Sequence, residues 1–288
     1  MNYSAMIENR KSVRAFEEKP VPASALEELR RFYDTGCHRL VADLPTELLI
    51  LDSEGAAGLA GAAGYQEQLV GAPRYLVLLS APHAHAAMNA GCIMEDLILR
   101  LEELELQSCW ITFTDSDRVK KALGLRSPLQ VAAIAAFGWG KKTRRKLRFN
   151  ILSMSNVDIQ AQRAYFAPKK EIRELVSLNT LDSTAGLDEV IGFYEDMLWQ
   201  AFYSASKAPS YLNRQPYGFL IRGNALMLVA LPDDYTDPES LGLDLGIVLL
   251  HFAAVAEQWV GKISWELDGL QAPELPRGCT LAARWQMK

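Results

Sequence analysis

Arg10-Lys11-Ser12-Val13-Arg14 sets three basic side chains and a hydroxyl within five residues. A guanidinium offers a fork of donors and an ammonium offers a point charge, so this cluster can hold a phosphate oxyanion. A solvated basic N-terminus has the same composition, and the residues alone leave both readings open. Far downstream runs Ala208-Pro209-Ser210-Tyr211-Leu212-Asn213-Arg214-Gln215-Pro216-Tyr217. Two prolines fix φ and make this a stiff loop. Ser210, Asn213 and Gln215 add polar groups at alternating spacing. With free backbone N–H groups, such a loop can read the polar edge of a heteroaromatic ring. An ordinary Pro/Asn/Ser turn is the other reading.

Other constellations fail. His83-Ala84-His85 has no Cys, His or carboxylate set at ligand spacing and reads as a polar loop. Gly138-Trp139-Gly140-Lys141-Lys142-Thr143 lacks the four-residue gap of a P-loop. No GxGxxG opens a strand–helix unit. Cys37, Cys92, Cys109 and Cys279 form no CxxC pair and read as thiols in a reducing, cytoplasmic setting. Gly55, Gly58, Gly61 and Gly64 recur every third residue in an Ala-rich stretch. That spacing suits either an irregular surface helix or a close backbone approach to a ligand.

The elements that must position these residues come as a repeat. Gly91 to Trp110 and Gly246 to Trp265 match at an offset of 155, with Glu102 opposite Glu257. Ile93, Leu97, Leu101 and Leu104 have helical spacing, as do Val248, Phe252, Ala256 and Trp259. Each segment reads as a buried helix followed by a strand. Tyr75–Leu79 and Leu226–Leu231 are strands before those helices. Glu47–Leu51 and Phe219–Ile221 are strands further upstream, after Pro45 and Pro216. Ser24–Tyr33, with Glu27 at capping-box spacing from Ser24, and Leu187–Tyr203 are amphipathic helices. The order helix, strand, strand, helix, strand occurs twice, an α+β pattern. Halves at 1–155 and 156–288 follow, joined by a polar stretch from Arg144 to about Thr184.

The halves keep different parts. In place of the Pro-Ser loop the first half has Cys37-His38-Arg39-Leu40-Val41-Ala42-Asp43-Leu44-Pro45. Near the place of the basic cluster the second half has Glu171-Ile172-Arg173-Glu174-Leu175. A duplicated chain that keeps one complete site and loses the other has this form. The net charge of −5 argues against a broad nucleic-acid surface. Leu243 to Ala256, the longest apolar run, is too short to span a bilayer and is broken by Asp244 and His251. The N-terminus has no secretory signal pattern.

Taken together, RKSVRAF with PVP, APSYLNRQPYGFLI, and ELQSCWITF with VKKALGL resemble motifs of the nitroreductase-like family of FMN-dependent oxidoreductases. The resemblance covers nearly the whole chain and is closest to the single-chain, internally duplicated branch. Ordinary members are homodimers with FMN at the interface. The resemblance therefore implies a nitroreductase-like α+β fold whose two halves mimic that dimer, with mixed or antiparallel sheets flanked by helices. It implies a cytoplasmic monomer with one FMN, no membrane and no nucleic acid. Arg10, Ser12 and Arg14 would hold the FMN phosphate, with Lys11 adding backbone or charge. Pro209, Ser210, Tyr211 and Asn213 would border the isoalloxazine ring. Trp110, Ile111, Thr112 and Phe113 would run beside it, with the amide of Thr112 or Phe113 near N5. A later phosphate-binding base would be Arg145 or Lys169. A polar residue before the central strand would be Tyr65 or Gln68.

The implied reaction passes hydride from NAD(P)H through the flavin to a nitroaromatic, quinone or similar acceptor, by ping-pong chemistry and without a catalytic dyad. Two departures stand out. Tyr217 replaces the usual tryptophan, and Tyr211 replaces a small residue. They keep two alternatives open: a flavin-binding sensor or carrier without efficient turnover, and a cofactor-free relic.

Overall fold

The computed structural model describes residues 1–141, 147–153, 156–161, 168–181, 183–187 and 196–287. Two four-stranded sheets organise the chain. The first joins β1 (Thr46–Asp52), β2 (Arg74–Ser80), β3 (Gln107–Ile111) and β4 (Gln130–Gly138) in the order β1-β2-β4-β3, all antiparallel. β2 is a run of Leu and Val because both its faces are covered. Leu76 and Leu78 enter one apolar cluster, and Val77 and Leu79 enter another. β5 (Leu147–Ser153) and β6 (Asn156–Ala161) form a separate hairpin. The second sheet has the order β10-β9-β8-β7, from β7 (Val176–Leu178), β8 (Tyr217–Arg222), β9 (Ala225–Ala230) and β10 (Thr280–Gln286). Only β7 runs parallel to its neighbour.

The helices are α1 (Tyr3–Asn9), α2 (Ala23–Thr35), α3 (Ala86–Glu103), α4 (Ser116–Ala122), α5 (Ile172–Leu175), α6 (Asp196–Ser206) and α7 (Pro238–Val260). α3 covers the first sheet, α7 packs with the second, and the two helices lie against each other. α7 starts cleanly: Asp237 accepts the N–H groups of Glu239 and Ser240, and Pro238 follows it. It is long and apolar enough to cross a membrane, but 78% of its apolar window is buried inside the protein, as in a core helix.

α3 and α7 touch backbone to backbone at two glycines. A Cβ on Gly91 would stand 2.2 Å from the Leu243 carbonyl oxygen, and one on Gly246 would stand 1.9 Å from the Met88 oxygen. Leu243 precedes Gly246 by three residues, as Met88 precedes Gly91. The contact is thus reciprocal at the repeat offset.

The expected strands before the core helices form, as do α2 and the helix–strand pair α3–β3. Three expectations change. α2 begins at Ala23 after Pro22, which caps nothing, so Ser24 is already inside the helix. The strand expected at Trp265 is absent. The chain leaves α7 through Gly261 and makes only an isolated bridge between Glu266 and Arg284, while the Trp265 ring packs on Phe252 and Trp285. The Gly-rich stretch folds as turns around a 3-10 segment at Ala57–Leu59, not as a surface helix. Gly58 is needed there because Ala122 of α4 presses on it, with 2.0 Å from a Cβ position to the Ala122 oxygen. Of the helix expected at Leu187–Tyr203, residues 188–195 lie outside the described residues.

Candidate functional site

The basic cluster leaves α1 and runs beside the start of β3. Ser12 bridges Ser108 in parallel, and Val13 N–H donates to the Ser108 carbonyl at 2.8 Å. Extended backbone turns alternate residues to opposite sides. Val13 packs inward, and Ser12 and Arg14 stay exposed, as does Lys11. Arg10 turns the other way. Its Nε lies 3.3 Å from Glu95 Oε1, in an ion pair with only 9% of the arginine side chain exposed.

Glu95 is fully buried on α3 and gathers three partners. Besides Arg10, His251 Nε2 lies 3.0 Å from Oε1, and the Trp110 indole donates to Oε2 at 2.8 Å. His251, on α7, uses its other nitrogen to donate to the Ser204 carbonyl at 3.0 Å. Burial pushes the Glu95 carboxyl up, but the Arg10 charge, His251 and the Trp110 N–H outweigh it and hold the group below its ordinary value. One carboxylate therefore ties the basic cluster to β3 and to the second core helix.

The Pro-Ser loop approaches from the second half. Leu212, Asn213 and Gln215 all have left-handed φ, at 47°, 59° and 47°. Such conformations in non-glycine residues need support from their surroundings, and the support is dense. Ser210 Oγ accepts the Gln215 N–H at 2.9 Å. The buried Gln215 amide donates to Ser206 O and accepts from Lys170 N, both at 2.9 Å. Asn213 Nδ2 donates to Pro168 O at 2.7 Å, and Lys169 Nζ donates to Ala208 O at 2.9 Å. Asp244 accepts the Tyr211 N–H with both oxygens at 3.0 Å.

Lys169 and Asp244 carry the strongest signs of a shared site. Burial and then the Arg10 charge pull the Lys169 ammonium down to about 8, against Glu95 and Asp244. Burial pushes the Asp244 carboxyl up to about 8, against the Tyr211 N–H and Lys169. Arg10 from the N-terminal cluster thus shares an electrostatic neighbourhood with Lys169 and Asp244 behind the Pro-Ser loop.

Of the residues expected at a site, Arg10, Trp110, Lys169 and the loop of Pro209, Ser210, Tyr211 and Asn213 are linked by these contacts. Ile111 is buried in the core, so it has only backbone to offer; Thr112 is exposed and Phe113 packs on the outer face of the first sheet. Gly64 N–H donates to the Thr112 carbonyl at 2.7 Å, which sets the bridged pair Tyr65 and Gln68 beside that segment. Arg145 lies outside the described residues. Glu95 goes unread in the sequence, and His251 and Asp244 are read only as breaks in an apolar run. Their signal was present: each is a polar residue interrupting an apolar core helix, where a charge is costly unless paired.

The Cys37–Pro45 loop repeats part of this construction. Asn89 stands at the repeat position of Asp244, and its Oδ1 accepts the N–H groups of Leu40 and Val41 at 2.9 and 3.0 Å. Here side chains occupy the interior. Asp96 Oδ2 lies 2.8 Å from both His38 N and His38 Nδ1, Tyr3 OH donates to Asp96 Oδ1 at 2.9 Å, and His38 Nε2 lies 3.3 Å from Glu257. Burial pulls the imidazole down, yet these two acids win and push His38 up to about 10.

Comparison with known proteins agrees with this architecture. A family model described as "Putative TM nitroreductase" matches residues 2–256. A "putative nitroreductase" of known structure from Thermotoga maritima superposes with a TM-score of 0.60 at 18% identity, covering 100% of this chain and 94% of its own. An FMN-dependent nitroreductase from Clostridium difficile aligns with 48% of this chain and 88% of its own, at 17% identity and a TM-score of 0.41. A nitroreductase family protein from Clostridium novyi covers 49% of this chain and 86% of its own, at 19% identity and a TM-score of 0.44. No curated protein matches the sequence. The breadth of the family match over one continuous stretch, with a full-length structural counterpart, decides the matter: the chain belongs to this nitroreductase family.

Proposed function

We propose that the chain is an FMN-dependent NAD(P)H oxidoreductase with one flavin site, formed between halves 1–155 and 156–288 of a duplicated, monomeric chain. One observation carries the reading: Glu95 ties Arg10 of the N-terminal cluster to Trp110 of β3 and to His251 of α7, the same helix whose Asp244 holds the Tyr211 N–H of the Pro-Ser loop. Lys169, which donates to Ala208 O at the start of that loop, feels the charges of Arg10, Glu95 and Asp244. The reciprocal Gly91 and Gly246 contacts support the duplication.

Arg10, Ser12 and Arg14 would hold the phosphate, with Lys11 alongside, and Lys169 would complete the charge. Pro209, Ser210, Tyr211 and Asn213 would border the ring on one side and the Trp110–Phe113 stretch on the other. When bound, the flavin supplies two-electron transfer from a nicotinamide donor to a small nitroaromatic or quinone-like acceptor. The chain's own part is to fix the loop, exclude water through it and set positive charge beside the cofactor.

The test is the visible spectrum of the purified protein after incubation with FMN and desalting. Retained flavin that NADH or NADPH bleaches supports the enzyme. Retained flavin that neither donor reduces leaves a carrier, and a colourless protein overturns the site. The double variant Arg10→Ala, Arg14→Ala should weaken FMN binding by about 3 kcal/mol through lost charged hydrogen bonds. Unchanged affinity removes the phosphate assignment.

A further inference from the structure

Glu95 is an expensive residue to keep: a carboxylate with no exposure, on the helix between the two sheets. The repeat shows what it is not for. Trp110 and Trp265 occupy matching positions, and so do Glu95 and Leu250. At Trp110 the indole N–H is met by Glu95. At Trp265 the indole N–H is buried and makes no hydrogen bond among the described residues. The chain therefore carries one buried indole without a partner, so satisfying the Trp110 N–H is not by itself a reason to keep a buried acid. What Glu95 holds besides the indole is Arg10, at 3.3 Å, and His251, at 3.0 Å.

We propose that Glu95 is the positioning residue of the site, a buried anchor that fixes the Arg10 guanidinium against Trp110 of β3 and His251 of α7. This rests on the flavin reading above and names how its phosphate arginine is set. The geometry is that of one carboxylate with three partners from three separate elements. A guanidinium at the end of a seven-residue helix has many rotamers, and an anchored one loses less freedom on binding an anion. The anion then meets Lys169 as its second cation. That amine shares one field with both Arg10 and Glu95.

The experiment is a double-mutant cycle on FMN affinity, read by quenching of flavin fluorescence on titration into apoprotein. Glu95→Gln keeps the volume and an acceptor for Trp110 but removes the charge. It should weaken FMN binding about tenfold in the parent and leave it nearly unchanged when Arg10→Met is already present, because the anchor acts only through that arginine. Glu95→Asp should recover part of the loss. Additive effects in the two backgrounds overturn the proposal, since a general loosening of the fold would be felt in both. If Glu95→Gln does not fold, His251→Leu removes a partner of Glu95 that lies away from the flavin ring and should show the same dependence on Arg10 at about a threefold effect. A parent that binds no FMN overturns the site reading and this proposal with it. A parent that binds FMN with additive variants overturns the proposal alone.

Discussion

Gly91 and Gly246 meet across the α3–α7 crossing, each facing the other helix's backbone three residues before the opposite glycine. No side chain fits either place, since a Cβ would lie at 2.2 or 1.9 Å from a carbonyl oxygen. Because backbone and not a flexible side chain is in the way, relief requires the helices to part. Gly91→Ala or Gly246→Ala should each cost about 3 kcal/mol. Urea denaturation checks this; a variant as stable as the parent would show that the crossing is looser than described.

Gln215 closes the Pro-Ser loop from within. It is 1% exposed and both ends of its amide are used. Gln215→Ala strands the Lys170 N–H and the Ser206 carbonyl, for about 2 kcal/mol. The loop should also be cut faster by protease under native conditions. Unchanged melting with unchanged cleavage would mean that the loop holds without this amide.

Asp244 sets a pH dependence. Burial pushes its carboxyl up to about 8 in the folded chain, from the ordinary 3.8 of an unfolded one. A raised acid favours folding while protonated, so its contribution is complete below about pH 4 and is lost as pH climbs toward 8. Asp244→Asn keeps an acceptor for Tyr211 and has no proton to lose. The stability of the parent relative to this variant should therefore fall between pH 4 and 8, by urea denaturation at each pH. A flat difference would remove Asp244 as the titrating group.

His38 works in a higher window. Its imidazole is raised from 6.5 to about 10 by Asp96 and Glu257, although burial opposes this. The stability it adds is complete below pH 6.5 and is lost as pH rises toward 10. His38→Gln should show a smaller loss over that range. Equal pH profiles of parent and variant would show that the imidazole is not charged in the folded chain.

How much of this was legible in the residues differs from element to element. β2 and α3 were readable because apolar runs and helical spacing report burial directly. The second half resisted at Trp265, where the matching tryptophan predicts a strand and the ring instead joins Phe252 and Trp285. Local sequence does not reveal which neighbour a ring will find. Arg10 and Asn213 were legible as types at a spacing, and Lys169 only through the family resemblance, as the alternative to Arg145. Their partners were not, because Glu95 and His251 acquire meaning only once the register of α3 against α7 is known. Asp244 and His251 were noticed solely as breaks in an apolar run, and they are two of the groups that tie the site together.

The cluster around His38 is a closed polar network. Tyr3, His38 and Asp96 satisfy one another inside the protein. Losing any one strands a polar atom of the others, so single substitutions there are penalised. Tyr3 also begins the short helix whose far end delivers Arg10 to Glu95. A change at this cluster would therefore be felt at the Glu95 anchor as well. Mutual satisfaction of this kind acts as a lock: the three side chains can be exchanged together more readily than one at a time, and the seating of α1 depends on all of them.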